Sequence, residues 1–146
     1  MTGALNPWRW LRDHHPRIDI VWCFTDDGIA GGWDGDRHIV MDPRLLQAAR
    51  RSVLAHELVH VERGVLPEQP VLIAREERTV DRIAARLLIP LDALIDAIRW
   101  CRGVAGMEMA DEVWTDRHTL LARIETLTAD ERAHIDGALA DTDWCA

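Results

Sequence analysis

Strand-like runs lie between residues 17 and 41, and apolar residues at helical spacing follow over the rest of the chain. The first run, "IDIVWCF", is rich in β-branched and aromatic residues and ends at the turn "TDDG". A short run, "IAGGW", follows, and the turn "DGD" separates it from the run "RHIVM". The simplest interpretation is a three-stranded antiparallel meander.

The first helix is predicted from about Pro43 to Arg63. Asp42 and Pro43 are suited to the N-cap and the first turn, and Gly64 can cap the other end. The loop "VLPEQP" separates this helix from a second one, which runs from about Val71 to Ile89 and ends before a proline.

Apolar residues recur at helical spacing in the remaining chain as well. The predicted helices are 91–103, 107–114, 116–127 and 129–140, the last opened by the capping box "TADE". A small antiparallel sheet of about three strands followed by five or six helices is an α+β arrangement.

The length and composition fit a single globular domain. The chain has 146 residues, 48% of them apolar, and shows no internal repeat or low-complexity tract. We therefore expect one domain over residues 1–146, with a core at about 17–102 and a C-terminal helical part at about 103–146.

The composition also excludes some classes of binding partner and indicates the cellular compartment. No apolar run approaches the length of about 18 residues that a membrane span needs, and "MTGALNPWRWLRDHHPR" lacks the apolar region of a signal peptide. Cys23, Cys101 and Cys145 lie far apart without a CxxC pair, so we expect reduced thiols in a cytoplasmic protein and no membrane association. A net charge of −8 makes nucleic-acid binding unfavourable.

The segment "VLAHELVHVERG", residues 53–64, places His56, Glu57 and His60 in an otherwise apolar helix. Residues four apart share a helix face, so the two histidine rings can converge on one ion. Glu57 can then reach a water on that ion, which is the HExxH arrangement of zinc metalloproteases. The alternative is a pair of core histidines bonded to backbone carbonyls, with Glu57 at the helix edge.

A catalytic zinc site needs a third protein ligand, and the next helix offers one. On a helical wheel, Glu77 falls within an apolar stripe formed by Ile73, Val80, Ala84, Leu87 and Leu88. Ionised carboxylates are rarely buried unless they are paired or bind a metal. Glu77 is therefore the predicted third ligand of Zn2+, and Glu76 is the second candidate.

Asp81 lies one turn after Glu77, at the margin of the same stripe. It is placed to accept the spare N–H of a ligand histidine, as carboxylates near metal sites commonly do. The alternative for both acidic residues is ion pairing with nearby arginines. Arg63 and Leu66 stand where the longer HExxHxxGxxH motif needs glycine and histidine, so the third ligand is not a nearby histidine.

Together, "SVLAHELVH" and "REERTVDRIAARLLIP" resemble the ImmA/IrrE family of metallopeptidases. That family pairs an "AHElgH" helix with a helix of the form E-x-x-A-[ND]-x-F-A-x-x-L-L-x-P. Glu77, Val80, Asp81, Ile83, Ala84, Leu87, Leu88 and Pro90 occupy these positions, with Val80 in place of alanine and Ile83 in place of phenylalanine. "RHIVMD" also fits the strand at the edge of the family's active site. The resemblance is specific over about residues 37–92.

The resemblance implies a zincin-like fold, a gluzincin-like zinc site and proteolysis of a protein or peptide substrate. Many members are encoded in phages or other mobile elements beside a helix-turn-helix transcriptional repressor that they cleave or inactivate. With zinc on His56, His60 and Glu77, we expect Glu57 to act as the general base. The chain has no tyrosine to stabilise an oxyanion, and His118, His38 or an arginine remain candidates.

The substrate could add as a strand along the edge formed by residues 37–41, unless the N-terminal segment "NPWRWLR" covers that edge. Two other functions stay open: a non-catalytic zinc-bound module that grips a repressor, and a DNA-binding regulator. The second would use residues 107–127, which have the rhythm of a helix-turn-helix. The negative charge and the absence of glycine from the turn favour a helix pair that packs on the core.

Overall fold

The computed structural model describes residues 3–64 and 67–143. Over these residues the fold is mixed α+β, with three strands and seven helices, one more helix than expected. The elements are α1 (Pro7–His14), β1 (Asp19–Trp22), β2 (Gly31–Trp33), β3 (His38–Met41), α2 (Gln47–Arg63), α3 (Pro70–Leu88), α4 (Leu91–Trp100), α5 (Met107–Glu112), α6 (Arg117–Glu125) and α7 (Ala129–Leu139).

The sheet has the order β1-β3-β2, so the predicted antiparallel meander is wrong. β1 runs parallel to β3, with Asp19 opposite His38, and β2 runs antiparallel to β3, with Gly31 opposite Met41. The connection from β1 to β2 spans residues 23–30, too long for a tight hairpin. β3 consequently lies in the centre, and the two strands before it form the edges.

Asp42 fixes this arrangement instead of capping a helix. Its buried carboxylate accepts hydrogen bonds from the backbone N and Oγ1 of Thr25, at 3.2 and 2.8 Å, and from Arg44. The β1–β2 connection is thereby tied to the end of β3. α2 begins later than predicted, at Gln47, and ends as predicted with Gly64 at a φ of 94°.

The N-terminal segment forms the unpredicted helix α1. The side chain of Asn6 accepts a hydrogen bond from the backbone N of Arg9 at 3.1 Å, and Pro7 occupies the first turn. α1 packs on α2, and the ring of Trp8 stacks on that of Trp22 in β1 with centroids 6.5 Å apart.

α2 separates two apolar clusters and is buried along most of its length. On one side Leu54 and Leu58 pack with Ile39 and Met41 of β3. On the other side, Val59 belongs to a larger cluster built from the helices that follow. HExxH therefore lies at the centre of the fold. No helix in the described part of the chain is long and apolar enough to cross a membrane.

Candidate metal centre

α2 and α3 pack against each other and bring His56, His60 and Glu77 together. Nε2 of His56 lies 3.1 Å from Nε2 of His60 and 3.1 Å from Oε2 of Glu77. Nε2 of His60 lies 3.1 Å from Oε1 of Glu77. These three residues form a group that could hold a metal ion.

The donor set fits a metal in both spacing and chemistry. Tetrahedral zinc with ligands at about 2.0–2.1 Å would separate its ligand atoms by roughly 3.3 Å, close to the spacing of this group. Two imidazole nitrogens and a carboxylate oxygen are also ligands that zinc takes. A cation between these side chains would be bound by Nε2 of each histidine and by a carboxylate oxygen of Glu77.

His56 and His60 differ in the hydrogen bonding of Nδ1, the ring nitrogen that faces away from the group. Nδ1 of His56 lies 3.0 Å from Oδ1 of Asp81. Because Asp81 accepts the Nδ1 proton, the lone pair of His56 is left on Nε2, where a metal needs it. Nδ1 of His60 is buried and has no hydrogen-bond partner among the described residues.

Glu57 lies beside this group without belonging to it. Its side chain is buried, with the residue 7% exposed, and Oε2 accepts a hydrogen bond from the backbone N of Trp33 in β2 at 2.9 Å. Burial raises the pKa of Glu57 above its ordinary value, against the lowering effect of His56 and His60. A buried carboxylate with a raised pKa suits a group that accepts and returns a proton.

The contact between β2 and Glu57 depends on a glycine. A Cβ at Gly31 would lie 2.5 Å from the carbonyl oxygen of Val40 and 2.9 Å from Cγ1 of Val53. Only glycine lets β2 approach both β3 and α2 this closely. At Gly32, by contrast, a Cβ would meet nothing within 4 Å.

His56 also has a shifted pKa. Burial lowers the pKa of its imidazole, but the hydrogen bond to Asp81 and the charges of Glu57, Asp81 and Glu77 raise it above the ordinary value overall. The acidic surroundings that favour the imidazolium would favour a metal cation for the same reason.

Glu76, the second candidate ligand, is held elsewhere. Its carboxylate accepts hydrogen bonds from Nε and Nη2 of Arg63, at 2.5 and 3.0 Å. This ion pair joins α2 to α3 and lowers the pKa of Glu76. Among the described residues, Glu77 and Asp81 contact histidines instead of the arginines considered as the alternative for both.

A cleft opens on both sides of His56 and Glu57. One cavity of about 250 Å³ is lined by Trp33, His60 and Glu77. A larger one of about 490 Å³ is lined by Ser52, Asp81 and His118. Gly31, His56 and Glu57 line both. An extended peptide could thus pass over Glu57 and occupy both cavities.

The three kinds of candidate for oxyanion stabilisation differ in position. His118 lines the larger cavity, and its Nε2 lies 3.0 Å from Oδ2 of Asp81. His38 instead lies 2.7 Å from Asp34 through Nδ1, and neither cavity includes it. Among the described residues, no arginine lines either cavity. Asp81, singled out for one histidine, thus contacts two.

Two further expectations change near the site. The edge predicted at residues 37–41 is wrong, since β3 is paired on both sides, and β2 is the edge strand that lines the cleft.

The segment 107–127 forms α5 and α6, which pack on α4 and α3 and bury Met109 and Leu120. Cys23 and Cys101 are free thiols, and Cys145 lies outside the described residues.

Comparison of the chain with family models, with curated proteins and with solved structures gave no significant match.

Proposed function

We propose that the protein is a zinc-dependent endopeptidase with a zincin-like fold and a site of the gluzincin type. The observation that carries the proposal is the group of His56, His60 and Glu77, whose ligand atoms all lie within 4.8 Å of one another, with a buried Glu57 beside it. A purely structural metal site is closed and has no use for such a carboxylate, whereas a catalytic site keeps an open position for water.

His56, His60 and Glu77 would hold the zinc. When bound, zinc supplies an acidified water and polarises the scissile carbonyl. Glu57 takes the proton of the attacking water and passes it to the departing amine. Its hydrogen bond from the backbone N of Trp33 keeps Oε2 in place and leaves Oε1 for the proton. Asp81 orients His56 through Nδ1.

β2 offers a place for the substrate backbone. It is an edge strand in the described sheet, and Gly31, Gly32 and Trp33 line the cleft beside Glu57. A peptide in extended conformation can pair with such an edge through its own N–H and C=O groups. We therefore propose an extended segment of a protein as the substrate.

The resemblance to the ImmA/IrrE family supports a transcriptional repressor as that substrate. The proposed cleavage segment would be an exposed, extended stretch of the repressor, since a folded helix cannot pair with β2. The scattered cysteines without a CxxC pair, which we expect to be reduced thiols, support a cytoplasmic location.

The decisive experiment uses Glu57→Gln, which keeps the size of the side chain and removes its basicity. Wild-type and variant proteins are loaded with zinc, and the zinc content is measured on each preparation. Both are then incubated with a proteome-derived peptide library, and mass spectrometry counts newly formed termini. We expect equal zinc content and cleavage at least about 100-fold slower in the variant, because the general base is lost.

Glu62→Gln is the matched control, since Glu62 lies on the same helix and contacts only His15, at 2.7 Å, among the described residues. It should cleave like the wild type. Loss of zinc from Glu57→Gln would make Glu57 a ligand and contradict the proposed site. Zinc binding by a wild type that cuts nothing would favour a non-catalytic interaction module instead.

A further inference from the structure

His118 and His56 share one carboxylate. Oδ2 of Asp81 lies 3.0 Å from Nε2 of His118, and Oδ1 of Asp81 lies 3.0 Å from Nδ1 of His56. An ionised carboxylate only accepts hydrogen bonds, so each histidine donates a proton to it. The neutral form of His118 therefore carries its proton on Nε2, and Nδ1 holds a lone pair.

That lone pair is accessible from the cleft. The side chain of His118 is 72% exposed, whereas that of Asp81 is 19% exposed. His118 lines the 490 Å³ cavity together with His56 and Glu57. Among the described residues, the one hydrogen bond of its side chain is that through Nε2 to Asp81. The ring thus has one anchored nitrogen and one free nitrogen.

The backbone before His118 is fixed to the helix that carries HExxH. Arg51, 4% exposed, donates from Nη1 to the carbonyl oxygens of Trp114 at 2.8 Å and Val113 at 3.5 Å. Ser52 Oγ accepts from the backbone N of Asp116 at 3.0 Å. The guanidinium of Arg51 also lies over the ring of Trp114, 5.2 Å from its centroid, so several contacts hold this turn against α2.

Asp116 then starts the helix that carries His118. Its side chain accepts a hydrogen bond from the backbone N of Thr119 at 2.8 Å and caps α6. His118 is therefore fixed twice relative to His56, through the backbone turn on α2 and through Asp81. A side chain held this firmly loses little entropy when it binds a ligand.

We propose that His118 is a substrate-contacting residue, whose Nδ1 accepts a hydrogen bond from a backbone N–H of the bound peptide. Every residue of a peptide except proline supplies such a donor. The contact lies on the side of the cleft away from Trp33, so the peptide is held by β2 at one cavity and by His118 at the other. This inference rests on the proposed function, because it assigns a contact in the same cleft.

The test separates the two nitrogens of His118. In His118→Gln, the side-chain amide can still donate to Asp81, whereas its acceptor Oε1 is bonded to the same carbon as that NH2 and does not occupy the position of Nδ1. The probes are acetohydroxamate, which contacts mainly the metal, and two hydroxamates with a capped tripeptide on one or the other side of the zinc-binding group. Affinities for zinc and for the three probes are measured on zinc-loaded wild-type, His118→Gln and His118→Ala proteins.

We expect His118→Gln to bind zinc and acetohydroxamate within twofold of wild type and to bind one tripeptide hydroxamate about 10-fold more weakly. His118→Ala should weaken the same probe at least as much. If only the alanine variant is weakened, His118 acts through Asp81 alone, and if neither is weakened, His118 does not contribute to peptide binding; either result overturns the inference.

Failure of the proposed function gives a different result. A wild-type protein that binds neither zinc nor acetohydroxamate has no metal centre, which overturns the function and the inference together. A wild type that binds acetohydroxamate as tightly as both tripeptide probes keeps its metal centre but has no peptide contacts, which overturns the inference alone.

Discussion

α3 contributes to two polar clusters that contrast in their hydrogen bonding. The structural cluster consists of Arg86, Arg123 and Glu131. Arg123 is 2% exposed, and its Nη2 lies 2.8 Å from Oε1 of Glu131, while Nη1 and Nη2 of Arg86 each lie 2.9 Å from the same carboxylate. Nε of Arg123 donates to the carbonyl oxygen of Ile89 at 2.9 Å. Donors meet acceptors throughout.

The metal-site cluster of His56, His60 and Glu77 is more open, since the side chain of Glu77 is 39% exposed and one buried ring nitrogen has no partner in the part of the chain that the structure describes. Two ring nitrogens face each other at 3.1 Å, and Nδ1 of His60 has no hydrogen-bond partner among the described residues. Buried polar groups are normally paired, because an unpaired one loses its hydration without compensation. The comparison teaches that the first cluster is closed by its own ion pairs, whereas the second brings together ligand atoms that could hold a metal ion.

The largest expected effect is the stabilisation of the metal-site cluster by zinc. At a free zinc concentration 1,000 times the Kd, the wild-type protein should gain about 4 kcal/mol in its free energy of unfolding. Glu77→Gln should lose this gain, because it removes a ligand charge. Glu76→Gln is the adjacent control and should keep it, since Glu76 pairs with Arg63. Chemical denaturation with zinc and with a chelator measures the difference, and equal gains in the two variants would contradict the ligand assignment.

The next effect concerns the structural cluster. Glu131→Gln should lower the free energy of unfolding by about 3 kcal/mol, because it leaves the buried guanidinium of Arg123 without a counter-charge. The loss should be the same with and without zinc, since the two clusters share no residue and distant sites act additively. Denaturation in both conditions is the measurement. A zinc gain that changes in this variant would mean that the clusters are coupled.

The metal-site residues could be predicted because their signal is local. His56 and His60 are four residues apart in an apolar helix, and Glu77 interrupts the apolar stripe of another helix, so spacing alone brings them to defined faces. The capping box of α7 is equally local and is confirmed at Thr128 and Glu131. No further knowledge of the fold is needed for such features.

The remaining features depend on contacts between distant parts of the chain. The strand order depends on the β1–β2 connection, which the hydrogen bond from Thr25 to Asp42 ties to the end of β3. Hydrophobic periodicity along the sequence does not report such a contact. Trp33 contacts Glu57 through its backbone N–H, which any residue but proline would provide. Arg51 was a polar residue in a buried helix, and that conflict could have identified it. α1 did carry a signal in Asn6 and Pro7, but it has only two turns.

A smaller effect is expected from Asp81. It contacts His56 and His118 but does not belong to the group of candidate metal ligands. Asp81→Ala should weaken zinc binding or activity by about 10- to 100-fold, because His56 loses the acceptor that orients it. Asp81→Asn keeps an acceptor oxygen and should fall between this variant and wild type. Zinc competition with a chromophoric chelator measures the affinities. A change of less than threefold in Asp81→Ala would mean that Nδ1 of His56 needs no fixed partner, as Nδ1 of His60 has none among the described residues.

The smallest expected effect is a difference between the two clusters in the pH dependence of the stability that each contributes. Zinc binding requires neutral imidazoles, whose ordinary pKa is about 6.5, so the zinc gain should decline as the pH falls through this range. Arg123 and Arg86 lower the pKa of Glu131 from 4.5 to about 2. Because this pKa is lower in the folded protein, the stabilisation is complete above pH 4.5 and is lost as the pH falls towards 2.

The difference in unfolding free energy between wild type and Glu131→Gln, measured without zinc, should therefore stay constant from neutral pH to about pH 5 and shrink by about 1.5 kcal/mol at about pH 3.5. The zinc gain should already have disappeared at that pH, since protons displace zinc from imidazole ligands on acidification. Denaturation curves across this range, with and without zinc, give both quantities. If the two declined together, a single titrating group would control both clusters, and the contrast between a cluster closed by ion pairs and one that could hold a metal ion would fail.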